Sequence, residues 1–430
     1  MTNQEFLKYA PKPKKLQDEK EWNVFLSYRS INRPWVLNLY DTLTELGHKV
    51  FLDQYVLVSS GPLIRQLEEA LEKSQAGIII WSNEARDSDW VKKEYYFLED
   101  KATNDTNFHF VPIRLNQINL PGFANNRIFL DFTAYPDGPN GSDLIRLLHA
   151  IVGLPLSPNA VKFSNDFEEV SAIAFAQVNA SIRSGRTERL LELFSNGGLS
   201  WDVSAALGCK AANGLIKLEK YSEAIVILEQ LEKKFPKSLR PQQLKALAYA
   251  RRGLPGDLDE AQEILGILDD RNHLDPETLG IYARTYMDQY DINNDINDLK
   301  KSRQLYADAF NKAPDDFYTG INAAAKSLFL GTEKDRELAN KYANEVQKIV
   351  GIAPHPNNYW KTATVAEAFL IKGQFAEAAD MYDQAILMEP KSYGSHETTK
   401  KQALKILEKL NADKEKKTQV LSPFDHLNIT

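Results

Sequence analysis

One carboxylate stands out in the sequence because it lies on the apolar side of a predicted helix. At 100° per residue, the predicted helix over 88–100 places four apolar residues on one arc: Trp90, Val91, Phe97 and Leu98. Glu94 falls inside that arc. A carboxylate that faces inward loses hydration unless it has a partner. Glu94 is therefore either a structural glutamate held by backbone N–H groups or a lysine, or an acid placed to do chemistry.

Further candidates follow the predicted strands of the same region. Five short apolar runs, at 24–28, 50–52, 77–81, 108–113 and 128–132, alternate with amphipathic stretches at 34–46, 62–73, 88–100 and 142–151. This alternation predicts a parallel, doubly wound α/β sheet, in which ligands bind beyond the carboxyl ends of the strands where strand order reverses. The residues that follow the first three strands are Ser27, Tyr28, Arg29, Asp53 to Gly61, Trp81 and Ser82.

Composition excludes several classes of function. The chain has 430 residues and a net charge of −7, which predicts two or three folding units and disfavours nucleic acid as a partner. No apolar run approaches the roughly 20 residues of a membrane-spanning helix, so we expect a cytoplasmic protein with no membrane partner. Seven scattered histidines do not favour a metal site, and the single cysteine, Cys209, is expected to be a buried apolar residue.

The second half of the chain carries a helical repeat. Three similar units end at Pro236, Pro314 and Pro390, and these prolines are 78 and 76 residues apart, or two periods of about 38 residues each. Small residues recur in phase with the prolines, at Ala224, Ala261, Ser302, Ala339 and Ala378. The predicted domain organisation is a flexible arm at 1–20, an α/β domain at 21–152, a linker at 153–166, a repeat domain at 167–410 and a tail at 411–430.

The first half resembles a Toll/interleukin-1 receptor (TIR) domain, of the NAD-cleaving type found in bacterial immunity proteins and in the animal axon-degeneration NADase. Four blocks carry the resemblance, in family order: NVFLSYRS at 23–30, KVFLD at 49–53, SDWVKKEYYF at 88–97 and RIFLDF at 127–132. The resemblance implies that Glu94 is catalytic and that Tyr28 and Arg29 border the nucleotide site. It also equates 53–61 with the family's BB loop, and this loop is more apolar here than usual.

The implied reaction suits a single carboxylate. Cleavage between nicotinamide and ribose expels a neutral leaving group, so the transition state needs a negative charge near the developing oxocarbenium ion, or a nucleophile. Trp90, one helical turn before Glu94, is expected either to stack on a ring of the dinucleotide or to anchor the helix in the core. No GxGxxG follows the first strand, so NAD+ is expected as a substrate and no cofactor is expected.

The second half is similar to tetratricopeptide (TPR) repeats, and its last unit looks like the sensor-type TPR region of bacterial conflict systems. Such arrays form a concave groove, and Trp360 and Glu367 are candidates to face it or to be ordinary packing and solvated residues. The two resemblances together imply an NAD+ glycohydrolase for antiphage defence. The TIR domains would self-associate on activation, and a protein or small molecule at the groove would be the trigger. Two alternatives stay open: a noncatalytic scaffold, and an enzyme that makes a cyclic ADP-ribose signal.

Overall fold

The computed structural model describes residues 2–52, 63–86, 89–118, 129–270 and 275–428. Within these ranges the side chains at 63–65, 84, 89, 90, 270 and 428 are not described. The chain divides into two compact units, Met1–His273 and Leu274–Thr430. Each unit is considered by itself.

The first unit contains a parallel sheet, as the alternating pattern predicts. Its strand order is β2-β1-β3-β4-β5, five strands within the described residues. The strands are β1 (Trp22–Ser27), β2 (Val50–Phe51), β3 (Ser74–Trp81), β4 (His109–Arg114) and β5 (Leu130–Asp131). From β1 the chain passes to β2 on one side, and β3 then lies on the other side of β1. Strand order therefore reverses between β1 and β3, and this is where the fold places ligand sites.

Helices cover both faces of this sheet. In β1, Val24 and Leu26 face one apolar cluster while Phe25 faces another, because successive side chains of a strand point to opposite faces. The helices of the α/β region are α1 (Asn3–Tyr9), α2 (Arg33–Glu45), α3 (Leu63–Glu72), α4 (Asn83–Arg86), α5 (Asp89–Asn104) and α6 (Ser142–Ile151). The prediction of a doubly wound sheet is confirmed.

Helices alone make up the rest of the described chain. In the first unit they are α7 (Pro158–Arg183), α8 (Thr187–Asn196), α9 (Leu199–Asp202), α10 (Ala206–Lys217), α11 (Tyr221–Lys234), α12 (Arg240–Arg252) and α13 (Asp257–Asp270). In the second unit they are α14 (Pro276–Asn293), α15 (Ile296–Lys312), α16 (Phe317–Leu330), α17 (Glu333–Val350), α18 (Tyr359–Ile371), α19 (Phe375–Met388), α20 (Tyr393–Lys409) and α21 (Lys414–Leu421).

The predicted phase of the repeat is confirmed. Helices α11, α15 and α19 each end two residues before one of the three prolines, since proline cannot continue a helix. The five small residues of the repeat are 0 or 1% exposed, so they lie where paired helices approach closely. No described helix has the length and apolar character needed to span a membrane.

The structure differs from the predicted arm, linker and tail. Thr2 and Glu5 form a capping box at the start of α1, and Phe6 is fully buried, with its ring 5.9 Å from that of Phe167. Ser157 caps α7, so the helix already begins at Pro158 inside the predicted linker. In the predicted tail, α21 and the buried Phe424 pack on the second unit. Helix caps and single buried apolar side chains hold these segments in place. The sequence pattern did not predict either feature.

Candidate active site

Glu94 lies at the edge of the buried face of α5. That face is formed by Val91, Tyr95 and Leu98, which are at most 2% exposed, whereas Glu94 is partly buried. Phe97, predicted on the same arc, is 46% exposed, so this part of the prediction is wrong. The buried arc is centred near Val91 and Leu98, and Phe97 lies about 110° away from that centre. Glu94 is therefore held at a boundary position, where a carboxylate keeps access to solvent and to a ligand.

A hydrogen bond ties this carboxylate to the sheet. Ser27 Oγ donates to Glu94 Oε2 at 2.5 Å, across 67 residues of sequence. Ser27 is the last residue of β1 and is paired in register with Ile79 of β3. The carboxylate thus sits at the carboxyl end of β1, beside the reversal of strand order. This is the position in the fold where ligand sites are expected.

The carboxylate lines a small, mainly apolar cavity between α3, α5 and the sheet. Its volume is about 40 Å³, room for a few water molecules. The lining residues are Phe25, Leu67, Glu68, Leu71, Lys93, Glu94 and Phe97. Sequence reasoning missed Glu68, a second carboxylate. The signal for it was the spacing of Leu67 and Leu71 on α3, which places Glu68 on the edge of the same helix face.

Tyr28 and Arg29 follow Ser27 directly and are partly buried. Tyr28 packs against the apolar cluster that contains Val24 and Leu26, on the face of the sheet away from the Glu94 cavity. The carbonyl of Arg29 accepts a hydrogen bond from Asn32 N at 2.8 Å, which turns the chain toward α2. Their predicted contact with a nucleotide stays a prediction.

Trp81 and Ser82 have supporting positions. Trp81 is 1% exposed and lies inside the apolar cluster under α3 and α5. Ser82 is fully buried, where its Oγ donates to Asn32 Oδ1 at 2.8 Å and accepts from Ala85 N at 3.1 Å. Their predicted contact with the substrate stays a prediction. At this edge of the sheet, some residues that follow a strand are buried and serve in packing or helix capping, whereas others are exposed. The sequence pattern does not distinguish the two kinds.

Two predicted parts of the site fall outside the description. Asp53 and the rest of the loop at 53–61 lie outside the described residues, and so does the side chain of Trp90. Their roles stay predictions.

An ion pair joins the carboxyl ends of β4 and β5. Arg114 Nη2, at the end of β4, donates to Asp131 Oδ2 at 2.6 Å, and the guanidinium lies 4.4 Å from the ring of Phe129. Although burial by itself raises the pKa of Asp131, hydrogen bonds from Arg114 and Thr133 hold that pKa below its usual value. Arg114 is thus neutralised by its partner, so it contributes to sheet stability more than to ligand charge.

The fold and the site define a two-part protein: a flavodoxin-like α/β domain with an acid at its ligand-binding edge, joined to paired helices of a repeat array. Family models identify both parts. Residues 24–148 match the TIR domain and residues 220–329 match the Tetratricopeptide Repeats-Sensor family. The chain therefore contains a TIR domain followed by a TPR-sensor repeat domain, as the sequence motifs predicted.

Relatives of the first part come from Brucella. The chain is 30% identical over 80 residues to a probable 2′ cyclic ADP-D-ribose synthase, TcpB, of Brucella melitensis biotype 1, and to the protein of the same description in Brucella abortus (strain 2308). The matched region is 18% of this chain and 32% of each relative, so the chain spans about a third of the length of the curated relatives it matches.

Two solved structures are similar to part of the chain. A thermophilic TPR protein from Thermus thermophilus aligns with 46% of this chain and 97% of its own, at 17% identity and a TM-score of 0.37. A MamA structure (MamA MSR-1 C2) aligns with 43% of this chain and 94% of its own, at 18% identity and a TM-score of 0.28.

Proposed function

We propose that the TIR domain cleaves the bond between nicotinamide and ribose in NAD+, with Glu94 as the acting carboxylate. The observation that carries this proposal is the placement of Glu94 at the carboxyl edge of β1, oriented by Ser27 within an apolar cavity. The similarity to Brucella proteins described as probable cyclic ADP-ribose synthases supports the same substrate. NAD+ is consumed as a substrate, and the reaction needs no further cofactor.

The electron balance of the reaction explains why one carboxylate is enough. When the C1′–N bond breaks, its electron pair neutralises the pyridinium, and nicotinamide leaves without a proton. Positive charge develops on C1′ and the ring oxygen of the ribose, and the Glu94 carboxylate stabilises that charge or attacks C1′. Phe25 and Leu71 lower the local polarity, which strengthens this interaction. The Ser27 hydroxyl fixes the direction of the carboxylate.

The product depends on what then bonds to C1′. Water would give ADP-ribose, with one proton released to solvent. A hydroxyl of the same molecule would give a cyclic ADP-ribose and also release one proton. The descriptions of the Brucella relatives favour the cyclic product as the second candidate, whereas depletion of NAD+ for antiphage defence requires only cleavage. Separation of the products by chromatography distinguishes the two.

Assembly is the proposed switch. A cavity of about 40 Å³ between the described residues is far below the 300–1,000 Å³ typical of small-molecule sites. The described lining is therefore too small for a dinucleotide, and further residues must complete the site. We propose that TIR domains of several copies associate and complete it, and that the TPR-sensor domain controls this association in response to a protein or small-molecule trigger. A site split in this way is silent until the copies meet.

The test is NAD+ turnover by concentrated, crowded full-length protein carrying Glu94→Gln. We expect turnover to fall by at least about a hundredfold, the scale of a lost transition-state charge interaction. The matched control is Glu99→Gln, on the same helix but outside the cavity lining, and it should turn over NAD+ as the wild type does. Equal turnover by wild type and Glu94→Gln contradicts the assignment. If wild-type protein assembles and still leaves NAD+ intact, the noncatalytic scaffold is the better account.

A further inference from the structure

The second unit contains a cavity of about 390 Å³, within the range of about 300–1,000 Å³ that small-molecule sites occupy. It is lined mainly by α14, α16, α18 and α20, the first helices of successive pairs, which form the concave side of a repeat array. Trp360 and Glu367, the two candidates for the groove in the sequence, both line it. All of the lining residues belong to this unit, so the cavity is a site separate from Glu94.

Lys326 places a buried positive charge in the lining of this cavity. The side chain is 4% exposed, and its Nζ donates one hydrogen bond, at 3.1 Å, to the neutral Oδ1 of Asn322. It makes no ion pair with any described residue, although the carboxylate of Glu367 attracts it from a greater distance. A buried ammonium has three N–H donors and costs free energy unless anions or acceptors compensate it. Burial accordingly lowers the pKa of Lys326 to about 8.

Two neighbouring cations already have acidic partners. Arg284 Nε lies 3.4 Å from Asp288 Oδ2, and Lys405 Nζ lies 2.5 Å from Asp291 Oδ2. Glu367 Oε1 accepts a hydrogen bond from Gln402 Nε2 at 2.8 Å. Lys326 is thus a buried cation without an ion pair among the described residues. The carboxylates of Glu367, Asp291 and Asp288 attract it only from a distance, and the rings of Tyr306 and Phe329 lie 5.7 and 5.6 Å from its Nζ. The like charge of Lys405 nearby makes an anion more favourable there.

Aromatic rings flank the same cavity. Trp360 is 52% exposed and Tyr318 is 50% exposed, although both contribute to its lining. A large ring held half in solvent beside a charged cavity offers a flat face on which a planar group can stack. The cavity thus has a buried ammonium group, that of Lys326, and half-exposed aromatic rings, those of Trp360 and Tyr318.

We propose that this cavity binds a small phosphorylated compound with a flat ring, of the size of a nucleoside monophosphate, with its phosphate at Lys326 and its ring on Trp360. A phosphate fits better than a single carboxylate because it carries up to two negative charges and offers more acceptor oxygens to the three N–H donors of Lys326. The depth of Lys326 favours a small molecule over a peptide, since a peptide backbone would have to enter the cavity with its polar groups unsatisfied. This proposal does not rest on the activity of Glu94.

Isothermal titration calorimetry on the full chain tests the two-part site. The probes are adenosine 5′-monophosphate, which has both groups, adenosine, which has the ring alone, and ribose 5-phosphate, which has the phosphate alone. We expect saturable binding of adenosine 5′-monophosphate and at least about tenfold weaker binding of each half, because each half loses one of the two contacts. The absence of saturable binding by adenosine 5′-monophosphate, or equal binding of either half, overturns the proposal.

Substitutions test whether adenosine 5′-monophosphate binds in this cavity. Lys326→Met keeps the apolar stem and removes the charge, and Trp360→Leu removes the ring, so each should weaken binding of adenosine 5′-monophosphate by about tenfold or more. The matched controls are Lys372→Met and Tyr393→Leu, which remove a lysine and a half-exposed ring outside the cavity lining. Controls that weaken binding as much as the cavity variants contradict the location. If Lys326→Met does not fold, Trp360→Leu decides by itself, since its ring is half exposed.

The pH profile supplies a readout that packing alone would not change. An anion beside Lys326 raises the pKa of the ammonium, so binding should be about tenfold weaker at pH 9 than at pH 7 and be accompanied by proton uptake near pH 8. The charged and titratable groups that face Lys326 are Asp288, Asp291, Tyr306, Glu367 and Lys405. A flat profile from pH 7 to 9 contradicts contact between the phosphate and Lys326.

Discussion

Asp41, on α2 of the TIR domain, accepts hydrogen bonds through its two carboxylate oxygens from the backbone N–H groups of Leu239 and Arg240, both at 2.8 Å. Arg240 is the first residue of α12, in the TPR-sensor region. Glu45, one turn further along α2, accepts from Lys237 N at 2.7 Å. The first N–H groups of a helix have no partner within the helix, and here the TIR domain supplies their acceptors.

Replacing Asp41 should loosen this contact. Asp41→Ala would leave two buried N–H donors without acceptors, so we expect a loss of about 2–4 kcal/mol in the free energy of unfolding. Urea denaturation of the full chain measures it. Glu45→Ala is the graded control, because Glu45 is only partly buried and accepts from the exposed Lys237 as well as from the buried hydroxyl of Ser238 at 3.2 Å, and it should cost about 1 kcal/mol. Equal effects of the two substitutions would contradict a special role for Asp41.

Acidification should increase the contribution of Asp41 to the stability of the folded chain. Burial raises the pKa of Asp41 to about 7, although its two backbone hydrogen bonds oppose the shift, and the usual value is 3.8. Between these values the folded chain binds a proton that the unfolded chain releases, so the contribution of Asp41 to stability is greatest below about pH 4 and is lost as pH rises to about 7. Asp41→Asn cannot titrate. The unfolding free energy of wild type relative to Asp41→Asn should therefore fall between pH 4 and 7, and a constant difference would rule out this titration.

The sequence predicts local periodicity well and distant contacts poorly. The small residues of the repeat and the strands of the sheet follow from spacing alone. The hydrogen bonds from Ser27 to Glu94 and from Arg240 to Asp41 join residues 67 and 199 positions apart, so no local pattern contains them. The start of α7 differs from the prediction for another reason. Prolines in this stretch predict a linker, whereas Ser157 followed by Pro158 forms a helix N-terminus.

Ser27 should act as a positioning residue. Ser27→Ala removes the hydroxyl that orients the carboxylate of Glu94, and a single hydrogen bond of about 1–1.5 kcal/mol corresponds to about a tenfold loss of kcat for NAD+ cleavage with little change in KM. Ser74→Ala, which removes another buried hydroxyl of the sheet, is the matched control and should leave kcat unchanged. A loss as large as that of Glu94→Gln would mean that Ser27 itself takes part in the chemistry.

Gly77 allows α5 to pack closely on the sheet and so sets the position of Glu94. A Cβ at this residue of β3 would lie 2.1 Å from Leu98 Cδ2 and 3.0 Å from Phe108 Cζ, and both side chains are buried, so they have little room to move. Gly77→Ala should therefore push α5 outward, reduce stability by about 1–3 kcal/mol and lower NAD+ turnover. Urea denaturation and a turnover assay measure the two effects.

In the double variant Gly77→Ala, Leu98→Ala, the shortened side chain at position 98 removes the clash. Turnover should then recover relative to Gly77→Ala even though the core is less well filled, and no recovery would show that the helix is not displaced by this contact.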